Sequence, residues 1–97
     1  MALRDQLAIP DAAKQDRNSL EVLRVWVANG AQHVSLLTGV WKEPEAWGIM
    51  LADLARHVAN AYEQDAGLDP VETLDQIRAM MEAEFSSPTD RPTGFIT

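Results

Sequence analysis

Two apolar runs separated by Asn29-Gly30 form the clearest pattern in the chain, and they predict a β-hairpin. The runs are Leu20–Ala28 and Ala31–Thr38, both rich in branched apolar residues. A type I′ turn needs positive φ at both central residues, which Asn tolerates and Gly adopts freely. Because a two-residue turn also sets the pairing, the pattern predicts the register of the strands.

That register assigns every side chain of the hairpin to one of two faces. The predicted core face carries the pairs Val27/Gln32, Val25/Val34 and Leu23/Leu36. The second face is mixed and carries the pairs Trp26/His33, Arg24/Ser35 and Val22/Leu37. A slip of one residue would exchange the faces, so both assignments depend on the turn.

The chain after the hairpin has the periodicity of two helices. The first begins near Glu43-Pro44-Glu45 and ends at Gly67, a residue suited to the left-handed position after a helix. Its apolar stripe consists of Trp47, Met50, Leu51, Leu54, Val58, Ala61 and Tyr62. The second begins at Asp69 as N-cap with Pro70 in the first position, and it ends at Ser86-Ser87-Pro88. Its stripe consists of Val71, Leu74, Ile77, Met81 and Phe85.

These elements predict an α+β fold in which a β-hairpin is followed by two antiparallel α-helices packed on one face of it. Residues 20–87 form the predicted single domain. Residues 1–19 are an N-terminal extended arm, with one possible helical turn at Asp11–Lys14, and residues 88–97 are a flexible C-terminal tail.

A two-stranded sheet with one covered face is an incomplete structure. Both its edges are open, and the second face leaves Val22, Trp26 and Leu37 as an apolar strip, with His33 opposite Trp26. A second copy that covers this face would make a homodimer, and Val22, Trp26, His33 and Leu37 are the candidate dimer interface. The alternative keeps a monomer: Leu7–Ile9 or Phe95-Ile96 adds a strand or lies across the strip.

Composition narrows the classes of function. The 97 residues carry a net charge of −7, with eight scattered Lys and Arg, which disfavours nucleic-acid and membrane-surface binding. Cysteine is absent, which excludes thiol catalysis and disulfides and fits a reducing cytoplasm. No apolar signal segment or membrane span is visible, so a cytoplasmic location is expected.

A polar flank of the first predicted helix is the candidate ligand-binding site. Asp53, Arg56, His57 and Asn60 recur at helical spacing, and a carboxylate four residues before a histidine can orient its imidazole. The plainer interpretation is a surface pair of charged and polar residues that contributes little stability.

Other chemistries have weaker support. No zinc-binding, nucleotide-binding or serine-hydrolase motif occurs, and no metal or cofactor is predicted. Asp65, Asp69 and Glu72 lack the spacing of a calcium loop, and helix capping explains the latter two. Trp26, Trp41 and Trp47 either line a pocket or fill the core.

The segments LEVLRVWVANGAQHVSL and PEAWGIMLADLARHVANAY resemble a small bacterial family catalogued only as a domain of unknown function. The similarity extends from about Leu7 to Thr89. It implies a bacterial, stand-alone, cytoplasmic protein and assigns no activity, cofactor or site residue.

Two functions from different classes follow. The first is a non-enzymatic, homodimeric protein-interaction module, with a further protein partner of unknown identity. The second is a small-molecule binding protein or enzyme that uses the polar flank of the first helix. Whether the protein is an enzyme stays open, and no catalytic residue is assigned.

Overall fold

A computed structural model describes residues 5–88 and the backbone of residues 95–96. The elements in chain order are α1 (Asp11–Gln15), β1 (Leu23–Ala28), β2 (Ala31–Leu36), a short 3-10 turn (Thr38–Val40), α2 (Glu45–Ala66), α3 (Pro70–Ser86) and β3 (Phe95–Ile96). The predicted order of a hairpin followed by two long helices is therefore confirmed, and the fold is α+β.

The chain divides into two compact units. The hairpin unit contains the residues up to Thr38 together with β3, and the helical unit begins at Gly39 and contains α2 and α3. Packing of the helices on one face of the hairpin stays a prediction, as does the single domain over residues 20–87.

The hairpin has the predicted turn and register. Asn29 has a φ of 53° and Gly30 a φ of 72°, the two positive values that a type I′ turn requires. The paired residues run from Ala28 opposite Ala31 to Leu23 opposite Leu36, as the turn predicts. One more hydrogen bond, from the Leu37 N–H to the Val22 carbonyl at 3.1 Å, extends the pairing beyond the strands.

A short third strand completes the described sheet. β3 pairs in parallel with β2, with Phe95 opposite His33, so β2 is central and β1 is an edge strand. Phe95-Ile96 therefore adds a strand, as one of the alternatives predicts, and the oligomeric state stays a prediction. The rest of the predicted flexible tail lies outside the described residues, apart from Pro88.

The predicted core face of the hairpin is unevenly exposed. Val25 is 51% exposed and Val27 is 82% exposed, whereas Leu23, Val34 and Leu36 are half-buried. The register is right, but register determines only which side chains share a face. Whether that face is buried depends on what covers it.

The N-terminal arm approaches β1 through one helical turn, close to where the sequence places it. Residues 5–10 are exposed and lack regular structure, and Pro10 has the extended ψ of 142° just before α1. The Ser19 hydroxyl donates to the Ala13 carbonyl at 2.7 Å and fixes α1 to the segment that leads into β1.

Local signals at the helix ends set the bounds of α2 and α3. α2 begins after Pro44 without a side-chain cap, and it ends at Gly67 with a φ of 69°. The Gly67 N–H donates to the Glu63 carbonyl at 2.9 Å, as in the left-handed capping motif. The Asp69 carboxylate accepts from the Glu72 N–H at 2.9 Å, which confirms Asp69 as the N-cap of α3.

Small residues of α2 mark where the two helices meet. Ala59 is 2% exposed and Ala55, one turn earlier, is half-buried. On α3 the buried residue is Thr73, whose hydroxyl donates to the Asp69 carbonyl at 2.8 Å, and Ile77 is half-buried. Among the described residues, only Ala59 and Thr73 are buried.

The large apolar residues of α2 lie on a different line. Leu51, Leu54, Val58 and Tyr62, here called the α2 stripe, are each between 39% and 51% exposed. At 100° per residue the centre of the stripe is rotated by about 75° from Ala55 and Ala59. The α2 stripe therefore lies beside the contact with α3 rather than within it.

None of the helices in the described part of the chain combines the length and the apolarity that a membrane crossing needs.

Candidate functional site

The four residues of the predicted polar flank all lie on the exposed surface of α2. Asp53, Arg56, His57 and Asn60 occupy successive turns in the middle of the helix. The structure thus places them on one flank, as the spacing predicts.

Asp53 pairs with arginine within this flank. The Arg56 guanidinium donates through Nη1 to Asp53 Oδ1 at 3.0 Å, and the two side chains are 61% and 59% exposed. Among the described residues, no hydrogen bond joins Asp53 to His57, so the carboxylate does not orient the imidazole in the structure. The arrangement is that of a solvent-exposed ion pair beside a histidine.

A shallow apolar groove lies next to His57. It has a volume of about 440 Å³ and is lined by Trp41, Ala46, Ile49, Met50, Asp53, Leu54 and His57. The α2 residues in this set follow the spacing of one helix face, so the groove has a mainly apolar floor with one imidazole and one carboxylate at its margin. Such a surface suits a small ligand with an aromatic or aliphatic body and one polar group.

Two tryptophans form one end of this region. The rings of Trp41 and Trp47 meet edge to face, with centroids 5.1 Å apart and an angle of 83° between their planes. Both are half-buried, and Trp41 lines the groove. Sequence spacing singles out Met50 and Leu54 but not Trp41, because Trp41 precedes the helix in an irregular segment.

The candidate dimer-interface residues share the predicted face of the hairpin. Val22, Trp26 and His33 are half-buried, and Leu37 is 41% exposed. His33 Nε2 lies 3.2 Å from the Ala28 carbonyl oxygen, to which it donates when that nitrogen carries the proton. This face is therefore less exposed than the opposite face with Val25 and Val27.

A second and larger groove lies along β1. Its volume is about 910 Å³. The lining residues fall into three groups: residues 5–10 of the arm, Ala13 and Lys14 of α1, and residues 19–27 leading into and along β1. No described residue of β2 lines it, so the groove lies on the side of β1 that faces away from β2.

Charged and polar groups do not converge in the way that a metal centre requires. Within residues 5–88, no three His, Asp or Glu side chains come close enough together to hold a metal ion.

Comparison with known proteins assigns a family but no activity. The model of a domain of unknown function, DUF5076, matches residues 6–89. A solved structure described as "a putative pyruvate dehydrogenase from the photosynthetic bacterium Rhodopseudomonas palustrus CGA009" is 34% identical in sequence, with a TM-score of 0.73. The match covers 96% of this chain and 95% of that one. No curated protein matches the chain. The chain belongs to the DUF5076 family, as the resemblance in its hairpin and first helix predicts.

Proposed function

We propose that this protein is a non-enzymatic interaction module that works as a homodimer and presents its helical unit to a further protein. The observation that carries the proposal is how little apolar surface the described residues bury by themselves. Ala59 is the only buried hydrophobic residue among those described, while many larger apolar side chains are exposed. Burying one such side chain contributes about 1.5–3 kcal/mol, so a partner that covers several of them gains substantial stability.

Charge favours the hairpin unit as the contact between two copies. Residues 5–38 hold four acids and three bases, whereas residues 39–88 hold ten acids and three bases. Two helical units would repel each other at close range, because like charges facing each other destabilise an interface. The nearly neutral hairpin unit has no such penalty.

The α2 stripe supports contact with a second kind of protein. Leu51, Leu54, Val58 and Tyr62 recur at the spacing that helix-binding surfaces use, and they lie in the strongly acidic unit. A partner segment that is apolar on one side and basic at its margins fits this combination. Such a partner would also be attracted by the field of the acidic residues.

Light scattering of the purified full chain at micromolar concentration tests the homodimer. The expected mass is twice the 10.7 kDa of one chain. The Val58→Glu variant should keep the dimeric mass, because Val58 lies on the α2 stripe and not in the hairpin. A monomeric mass for the unaltered chain would refute the proposal.

The groove beside His57 favours a second candidate, a small-molecule binding protein or enzyme. Small aromatic molecules are the suitable probes, since Trp41, Met50 and Leu54 form an apolar wall. If one of them raises the melting temperature, His57→Ala should abolish the rise. Asn60→Ala is the matched control, because Asn60 shares the flank without lining the groove.

A further inference from the structure

The outer edge of β1 presents a row of backbone groups that no described residue pairs. Opposite residues of an antiparallel pair of strands alternate between those that exchange hydrogen bonds and those that do not. The bond from Leu37 to Val22 identifies their pair as hydrogen-bonded, and so are the pairs formed by residues 24, 26 and 28. Leu23, Val25 and Val27 therefore direct their N–H and C=O groups away from β2.

Residues 5–10 of the neighbouring arm leave this edge open. Residues 5–10 form the far wall of the 910 Å³ groove, but none of the backbone hydrogen bonds outside regular elements joins them to β1. Leu7 of the arm is 90% exposed and Ile9 is 52% exposed. The groove thus has an unpaired strand on one side and apolar side chains on the other, as a site for an added strand requires.

β1 also lacks the features that normally protect an edge strand. It contains no proline, and its pairing with β2 is continuous without a bulge. Its one charged residue, Arg24, forms an ion pair with Glu21 at 2.8 Å. Protein edges that must stay single usually carry several charges, a proline or a bulge.

We propose that β1 of a second copy of this chain pairs antiparallel with this edge, about a twofold axis that passes beside Val25. This rests on the proposed homodimer and names its contact. In this register Val25 faces the Val25 of the second copy and Leu23 faces its Val27. Each of these pairs exchanges two backbone hydrogen bonds, so the free groups of the edge are satisfied in both copies.

The side chains that this register brings together also favour β1 of a second copy as the added strand. Leu23, Val25 and Val27 form an apolar patch with their counterparts, which reduces the exposure of the two exposed valines. On the opposite face Arg24 lies across from Trp26 of the second copy, where the guanidinium can stack on the indole. The nearly neutral charge of residues 5–38 imposes little repulsion on this approach.

Cysteine cross-linking tests the register, since the natural chain has no cysteine. In Val25→Cys the two α-carbons would lie about 5.5 Å apart, within the range of a disulfide. In Val27→Cys they would lie roughly 14 Å apart, because each is two residues from the axis at about 3.4 Å per residue. The control residue lies on the same strand and face and is the more exposed of the two.

Mild oxidation of the full-length variants should link Val25→Cys into a dimer on a non-reducing gel. Val27→Cys should be linked at least about tenfold more slowly, because only the first pair is held together by the complex. The edge pairing would be refuted if both variants cross-link at the same rate, or if Val25→Cys does not cross-link at all. If the unaltered chain is nevertheless dimeric, the homodimer stands and only its contact is wrong. If the unaltered chain is monomeric, both the homodimer and the edge pairing are wrong. That result would agree with an edge that the chain's own arm covers.

A proline variant gives an independent readout. Val25→Pro removes an outward N–H and no hydrogen bond to β2, so far-UV circular dichroism should stay unchanged while the mass falls to that of a monomer. Val25→Thr keeps both the N–H and the β-branched shape, and it should remain dimeric. A dimeric Val25→Pro with an intact hairpin would contradict the proposal.

Discussion

The hairpin unit and the helical unit are ordered by different means. In the hairpin, the turn at Asn29-Gly30 and a continuous ladder of backbone bonds hold two strands in register, yet no described residue there is buried. In the helical unit, Ala59 and Thr73 are buried between helices whose ends are fixed at Gly67 and Asp69. Backbone pairing maintains the first unit and close side-chain packing the second.

The units also differ in charge and in the surfaces they leave open. The helical unit is strongly acidic and exposes the apolar α2 stripe, while the hairpin unit is nearly neutral and exposes an unpaired strand edge. We propose that this difference serves two kinds of contact, that of the hairpin unit with a copy of itself and that of the helical unit with a protein of different charge.

The largest expected effect comes from placing a charge in the helical contact. Ala59→Asp buries a carboxylate among apolar atoms without a partner, and it should lower the free energy of unfolding by more than about 3 kcal/mol. Ala52→Asp, at an exposed position of the same helix, should cost less than about 1 kcal/mol. Urea denaturation followed by circular dichroism measures both, and equal losses would show that Ala59 is not at a packed contact.

Replacing one glycine in each unit is expected to have an intermediate effect on stability. Gly30→Ala and Gly67→Ala should each cost about 1 kcal/mol or more, because both positions have positive φ. An added Cβ meets nothing within 4 Å at either position, so the cost is strain of the backbone and not a clash.

Amide hydrogen exchange should locate these two losses in different places. Gly30→Ala should reduce protection in β1 and β2, and Gly67→Ala should reduce it at the end of α2 and the start of α3. Gly39→Ala is the control, since Gly39 has space for a Cβ and no positive φ. If either variant loses amide protection throughout both units, the two units are not stabilised independently, which would contradict this account.

A smaller effect is expected at the N-cap of α3. Asp69→Ala removes the acceptor of the Glu72 N–H and should cost about 1 kcal/mol, whereas Asp69→Asn keeps an acceptor and should cost less. Thermal unfolding of the two variants measures the difference. If both variants melt at the same temperature as the unaltered chain, the cap contributes nothing to stability.

The smallest effect is expected at the ion pair on α2. Asp53→Ala should change the free energy of unfolding by less than about 0.5 kcal/mol, because both partners are more than half exposed. Denaturation at low and high salt checks this. A larger loss would show that the Asp53 carboxylate has a role beyond the pair with Arg56.

Structural features that depend on a few neighbouring residues could be predicted from the sequence. Asn29-Gly30 sets the hairpin register, Gly67 ends α2 and Asp69 begins α3, since each depends on local φ values or on one nearby hydrogen bond. Burial could not be predicted in the same way. Val25 alternates with Trp26 as a core residue should, but alternation does not determine which face is covered.

The candidate site shows the same limit. Helical spacing puts Asp53, Arg56, His57 and Asn60 on one flank, and the structure agrees. Spacing alone does not decide which pair bonds, and the long arginine side chain reaches Asp53 from the next turn. The sequence offers Trp41 as a pocket or core residue but does not place it beside His57, because no periodicity extends to the segment before α2.

The dependence of unfolding on protein concentration tests the central claim most directly. If the chain completes its apolar burial with a second copy, the urea midpoint must rise as the protein concentration increases from about 1 to 100 μM, because the dimer dissociates on unfolding. We predict this rise for the unaltered chain and its absence for Val25→Pro. A midpoint that is independent of concentration in the unaltered chain would contradict the claim.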